Sequence, residues 1–461
     1  MQNTKENKMG VQNVNSLLLS MAIPMMISML VQALYNIVDT MFVSKLGQDA
    51  LTALSLAFPI QNLLIAVSVG TGVGVNALLS RSLGEKNFDR ANRVAENGVF
   101  LSIISSIVVM ILGFTLVKPY FGSFGSSESI IALGTDYLSI CMIFSFGLFG
   151  QVMFEKLLQS TGKTAYSMVV QLVGAVTNII LDPIMIYGLI GFPAMGVKGA
   201  ALATVTGQIV ALIVGIVINS KFNREIKVTL KGSVKPNGEI IKRIYAVGIP
   251  SICMASIGSV MNVCINQTMR LFSDSVAATG QAVFGIYFKL QSFVFMPIFG
   301  INNSMVPIVA YNFGAKNPER IKKTIKLSVI YACIIMAAGF LAFQTVPETL
   351  LRIFDTGGDD MKEIIRIGKP MMRSISLSFI AAGYCIVAGS VFQALGKGML
   401  SLIVSVLRQL VVLVPVAFLL AYLTRDITIM WLSFPIAEIA SFTMSYIFMK
   451  KIYKNEINTL K

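Results

Sequence analysis

The residues of this chain able to do chemistry are the charged, amide and hydroxyl side chains set inside long apolar stretches. Asp39, Glu155, Asp182 and Glu438 supply carboxylates there, and Lys289, Arg373 and Arg408 supply bases. In YNIVDT, Tyr35 to Thr40, Asn36 precedes Asp39 by three residues; in TNIILDP, Asn178 precedes Asp182 by four. Those intervals put each amide on the same helical face as its acid. Gln32, seven residues before Asp39, extends that face, and Thr204 lies in the apolar run GAALATVTG. Two carboxylates, an amide and a hydroxyl converging at one depth suit a hard cation such as sodium, which takes oxygen ligands. They equally suit a proton held by a carboxylate pair, because two like charges at close range cannot both persist. Histidine is absent, which excludes His-dependent triads, His metal ligands and His proton relays.

Membrane helices must position these groups. The chain is 55% hydrophobic and 13% charged, with mean hydropathy +0.76; soluble domains carry about 25% charged residues. Twelve apolar stretches are long enough for a hydrocarbon core of about 30 Å at 1.5 Å per helical residue. They run over 16–43, 51–80, 95–117, 130–155, 164–190 and 196–220, then 240–272, 276–306, 321–346, 364–395, 400–424 and 427–450. The fold class is therefore an all-α polytopic membrane protein with twelve transmembrane helices.

Lys and Arg orient it, because translocated loops are poor in them. About 25 of the 37 lie in the termini and even-numbered connections and about nine in the odd-numbered ones. Both termini are thus expected in the cytoplasm. The net charge of +15 reflects basic loops facing an anionic leaflet, with no nucleic acid needed. Asp39 then falls near the outer end of span 1 and Asp182 in the outer third of span 5, where they can meet. Span 6 descends from outside and brings Thr204 about two turns deep. The first fifteen residues carry no signal-peptide pattern. Five scattered cysteines without CxxC spacing argue against disulfides and metal sites.

LQSTGKT, Leu158 to Thr164, ends like a phosphate-binding loop, but Leu157 stands where such a loop needs glycine, and no strand precedes it. It repeats instead as FQALGKG, Phe392 to Gly398. GEKNFDR at Gly84 to Arg90 likewise returns as GAKNPER at Gly314 to Arg320, and Ile23-Pro24 as Ile249-Pro250, at offsets of 226 to 234 residues. A drifting, near-constant offset marks a duplication. The expected organisation is an N-lobe over 1–220, a cytoplasmic linker over 221–243 and a C-lobe over 244–461. Six spans return the chain to its starting side, so the lobes are parallel and related by an axis along the membrane normal.

Bland readings stand beside the chemical ones. Asp39 could be interfacial and Asp182 part of a kink at Pro183. Glu155 adjoins Lys156, which allows a local ion pair as readily as a gate. Lys289, Arg373 and Arg408 are expected to pair inside the bundle, with Glu438 as a candidate partner, or to meet cargo. The glycines of SVGTGVGVNA, Ser68 to Ala77, favour close helix packing over a dinucleotide fingerprint. Pro24, Pro59, Pro183, Pro250 and Pro297 permit kinks.

The stretches AIPMMISMLVQALYNIVDTMFVSKLG, SRSLGEKNFDRA, FEKLLQSTGKT and TNIILDPIMIYG, then GAALATVTGQ and a matching second half, resemble the multidrug and toxic compound extrusion (MATE) transporters. The likeness covers nearly the whole chain and points to the bacterial multidrug-exporter branch. It implies two six-helix lobes around a cleft that alternates between inward-open and outward-open states. It also implies import of sodium or protons driving export of organic, often cationic, drugs. The family's N-lobe cation site falls on Asp39, Asn178, Asp182 and Thr204, with Gln32 in an accessory position; sodium would sit on the first four. Tyr35, Asn36, Glu155, Lys289 and Arg373 are candidates for substrate contact or gating. Acids used by some members in spans 7 and 10 are missing: Asn262 and Asn266 stand in span 7 and Arg373 in span 10, which favours coupling in the N-lobe.

The expectation is a monomeric, multi-pass antiporter of the bacterial inner membrane. Small organic cations and membrane lipids are its partners, and it has no cofactor beyond the coupling ion. The alternative is a flippase for a lipid-linked saccharide, against which twelve spans and N-lobe acids argue. An enzyme is disfavoured because no nucleophile-base pair or metal set is present, and a channel because no pore-loop signature is.

Overall fold

Lipid offers a peptide group no hydrogen-bond partner, so each spanning segment must close its own backbone bonds as a helix. The structure, a computed structural model, describes residues 6–125, 127–233, 235–354 and 361–460, and no strand occurs among them. Ten helices are long and apolar enough to cross a membrane alone, and two bent pairs bring the number to twelve. In chain order these are α1 (Val14–Ser44), α2 (Gln48–Gly84), α3 (Phe88–Thr115), α4 (Glu128–Ile143 and Phe146–Ser160), α5 (Thr164–Tyr187) and α6 (Val197–Phe222). The second set is α7 (Gly238–Met269), α8 (Asp274–Gly314), α9 (Pro318–Thr345), α10 (Met361–Ser376 and Phe379–Ala394), α11 (Gly398–Thr424) and α12 (Ile427–Ile457).

Spans 4 and 10 are not the single helices expected from sequence. They bend by 45° and 51° at equivalent places in the two halves, around Phe144-Ser145 and Leu377-Ser378. No proline lies at either bend. The Ser378 hydroxyl instead donates to the Ile375 carbonyl at 2.6 Å, offering the backbone acceptor an alternative to the helical bond. The five prolines named from sequence lie inside helices that run on through them.

The repeated sequences fold into repeated geometry. Lys86 and Lys316 both adopt left-handed backbone, with φ of 55° and 54°. The following Asn87 and Asn317 side chains each cap the next helix, accepting from the Arg90 and Arg320 amides at 3.0 and 3.2 Å. Gly162 and Gly396 end their helices with φ of 82° and 78°.

Across the halves, α1 packs along α8 and α2 along α7, two interfaces that the duplication relates to each other. Glycine makes them close. A Cβ at Gly74, within SVGTGVGVNA, would stand 2.2 Å from the Ile244 carbonyl oxygen of α7, which identifies that stretch as packing surface. At the end of the bundle that carries the chain termini, the copied loops meet. A Cβ at Gly84 would lie 1.9 Å from the Tyr311 carbonyl oxygen, and one at Gly314 would lie 2.2 Å from that of Arg81.

The N-terminal segment straps this junction. Asn7 donates to the Thr161 carbonyl of the LQSTGKT turn at 3.2 Å and bonds Glu225 of the linker. Two residues on, the Met9 carbonyl accepts from Asn312 at 3.0 Å and from Arg320 at 2.9 Å, and the Gln12 carbonyl accepts from Arg320 at 2.8 Å. Met9 is fully buried between the halves. Burial, with Lys163 close by, pushes the neighbouring Lys8 ammonium below its ordinary pKa. Nothing in the sequence reading singled out this segment.

Overpacking a tight contact costs about 1 to 3 kcal/mol. Gly84→Val and Gly314→Val should therefore shift the equilibrium roughly tenfold to a hundredfold toward a state parted at this end. Spin labels at Lys86 and Lys316 should then report a longer separation, unchanged by Gly125→Val in an exposed loop.

Candidate functional site

The acid of α1 and the acid of α5 meet because α1 packs along α5 as well as along α8. Helix α6 approaches α5 just as closely: Gly207 faces the Gly174 carbonyl, where a Cβ would sit 2.8 Å from the oxygen and 3.2 Å from Asn178 Cβ. That approach lets Thr204 reach Asn178. The Asn178 amide Nδ2 donates to Asp182 Oδ1 at 3.2 Å and to Thr204 Oγ1 at 3.3 Å. Asp182 is fully buried and Asn178 and Thr204 nearly so. The Asp39 carboxyl neighbours that of Asp182, and Tyr35 lies close to both acids.

Asp39, Asn178, Asp182 and Thr204 therefore form one cluster, with Tyr35 beside it. Gln32 is placed deeper, where its Oε1 accepts from Gln171 of α5 at 2.6 Å. Asn36 does not join them. It is exposed, and only its carbonyl is engaged, by Thr40 at 2.8 Å.

Three buried oxygens in the cluster lack any donor: Asp39 Oδ1, Asn178 Oδ1 and Asp182 Oδ2. Buried polar atoms are rarely left unpaired, and two neighbouring carboxylates call for positive charge between them. Among the described residues no three His, Cys, Asp or Glu side chains gather anywhere. The charge capacity here is that of two carboxylates with amide and hydroxyl oxygens, which matches one or two monovalent cations or protons.

The remaining candidates separate. Glu155 is buried and accepts from Gln151 at 2.9 Å, while Lys156 turns away to Gln159 at 2.9 Å and to Asn303 of α8 at 3.0 Å. The local Glu155–Lys156 pair allowed from sequence is thus absent, since adjacent helical residues point in different directions. Arg408 does pair with Glu438, at 3.4 Å. Lys289 lies over the Phe354 ring, 5.8 Å from its centroid, and no carboxylate lies within 4.0 Å of Lys289 or Arg373 among the described residues. Both bases are exposed.

Sequence reading missed Gln171 and Tyr187. Gln171 stands seven residues before Asn178, two turns along the same face, and that spacing was there to be read. Tyr187 has no such signal. Its hydroxyl donates to the Phe42 carbonyl of α1 at 2.7 Å, tying α1 to α5 just beyond the acids.

Two duplicated six-helix lobes with a cluster of buried oxygens inside one of them mark a membrane transporter. The sequence profile described as MatE matches residues 24–184 and 250–419. The chain belongs to the MatE family. It is 27% identical to the multidrug export protein MepA of Staphylococcus haemolyticus over 90% of this chain and 89% of that protein. It is 24% identical to a FAD transporter of Shewanella oneidensis over 89% of each chain. A crystal structure of MATE in complex with MaL6 superposes with a TM-score of 0.90 at 25% identity, over 98% of this chain and all of that one.

A neutral hydrogen bond contributes about 0.5 to 1.5 kcal/mol. Tyr187→Phe should lower thermal stability in detergent by that amount while leaving the helices intact by circular dichroism.

Proposed function

We propose that this protein is an antiporter of the bacterial cytoplasmic membrane that exports small organic compounds, chiefly cations, in exchange for sodium ions or protons. The observation that carries this reading is the acid pair Asp39 and Asp182, which with Asn178 leaves three buried oxygens unpartnered. Multidrug export by the staphylococcal relative supports the cargo class. The lobes over 1–220 and 244–461 work as one monomer joined by the 221–243 linker. Both termini face the cytoplasm, so the strapped end of the bundle is the cytoplasmic end and the conformation is closed on that side.

One monovalent cation moving inward across 100 mV supplies about 2.3 kcal/mol. When it binds between Asp39 and Asp182 it neutralises their repulsion, drawing α1 toward α5 and changing the cleft that α1 shares with α8. Coupling then requires that cation and cargo each bind one state more tightly than the other. The protein's residues hold the ion and gate the cleft; no covalent step or resident cofactor enters.

In proteoliposomes, a sodium gradient or a pH gradient imposed singly should drive accumulation of ethidium, a fluorescent organic cation. If neither does, the antiporter reading fails. Asp39→Asn and Asp182→Asn should each abolish gradient-driven uptake. Uptake unchanged in both would place coupling elsewhere.

A second reading has specific support in the relative described as a FAD transporter and in the exposed bases Lys289 and Arg373. There the cargo is an organic anion held by those bases. FAD tested in the same liposomes separates the two: export of FAD that fails in Lys289→Gln and Arg373→Gln, with ethidium ignored, favours the anion.

A further inference from the structure

The C-lobe contains a charged pair that coupling in the N-lobe leaves unused. Arg408 of α11 sets Nη1 3.4 Å from Oε2 of Glu438 on α12. The Glu438 side chain is 7% exposed and that of Arg408 29%, so the guanidinium is the more accessible partner. The other carboxylate oxygen, Oε1, is buried without a donor. Tyr287 of α8 is 1% exposed in the hydrophobic core of the same lobe. From it an aromatic wall continues. Phe284 stacks 6.3 Å from Tyr287 and 5.4 Å from Trp431, with Phe288 and Phe434 edge-on. The backbone of α11 is wound as a π-helix from Leu407 to Leu413, a local winding frequent at functional sites.

As a packing device this pair is poor. A single long contact forgoes the bidentate fork that makes Arg–carboxylate pairs strong. Buried pairs are in any case often no better than apolar residues of the same volume. A buried carboxylate with one oxygen unpaired, in a lobe whose core is rich in aromatic rings, has instead the chemistry that recognises an organic cation. Its depth also fits. Glu438 lies eleven residues past Ile427, about 16 Å along the helix and near the midplane, where transporters of this architecture bind cargo.

We propose that Glu438 forms a subsite for the cationic centre of an organic cargo, and that Arg408 is a tethered competitor occupying that subsite when cargo is absent. The proposal rests on the organic-cation reading above. Exchange replaces one cation by another, so the buried acid is never left uncompensated. The displaced guanidinium belongs to the more exposed of the two side chains and is the partner that swings away. The acid gains specificity as well, because a cargo without a cationic centre cannot dislodge Arg408.

Ethidium binding to the full-length protein in nanodiscs, read by fluorescence anisotropy with no gradient, tests it. Arg408→Gln removes the competitor and should tighten binding about tenfold. Glu438→Gln should weaken it about tenfold, and the double variant should bind like Glu438→Gln. Binding to the unaltered chain that neither variant changes overturns the subsite and leaves the exporter reading standing. Absence of ethidium binding to the unaltered chain overturns both. Should Arg408→Gln fail to fold, the isosteric Glu438→Gln decides alone, by losing affinity or by keeping it.

Discussion

Hydrocarbon satisfies neither a peptide group nor a charge, and the architecture follows from that constraint. Every span is helical, so polar chemistry can arise only where faces of different helices come within reach. How near they come is set by small residues. Gly207 on α6 lies against the Gly174 carbonyl of α5 and thereby brings Thr204 to Asn178. The acid pair depends on the same closeness: Asp39 and Asp182 are neighbours because α1 is held to α5, at its far end by Tyr187.

The same α1 lies along α8 of the other half, as α2 lies along α7. Helix α1 therefore touches both the acid cluster and the seam between halves. A cation that changes how α1 sits on α5 necessarily changes a surface of the cleft. At the strapped end, contact between the Gly84 and Gly314 loops and the bonds from Asn7 and Met9 must all break for the halves to part there. Several modest hydrogen bonds lost together are a barrier that exchange of ligands can overcome, which suits a gate better than one large interface would.

Duplication did not preserve chemistry. The α5–α6 pair carries Asn178, Asp182 and Thr204, open to an added cation; the corresponding α11–α12 pair carries Arg408 and Glu438, already neutralised. One half gathers acids with no base among them and the other holds its own counter-charge.

Much of this was legible in the residues. Apolar length set the number of spans, repeated loops exposed the duplication, and amide-acid spacing on α1 and α5 marked Asp39, Asn178 and Asp182, because periodicity and hydrocarbon thickness act on local sequence alone. Convergence was not local. Asn36 has the right spacing from Asp39 yet faces open space, since the rotation of α1 is fixed by what it packs against. The bends at Ser145 and Ser378 fall where no proline stands, and at Ser378 a hydroxyl competes for the backbone acceptor, a signal the apolar pattern does not carry. Lys156 bonds Asn303 of the other half, and Met9 is sealed between α8 and the LQSTGKT turn. Sequence determined which groups were costly to bury; only the packing of helices decided which partner each would find, because partners far apart in the chain are chosen by the distance between surfaces.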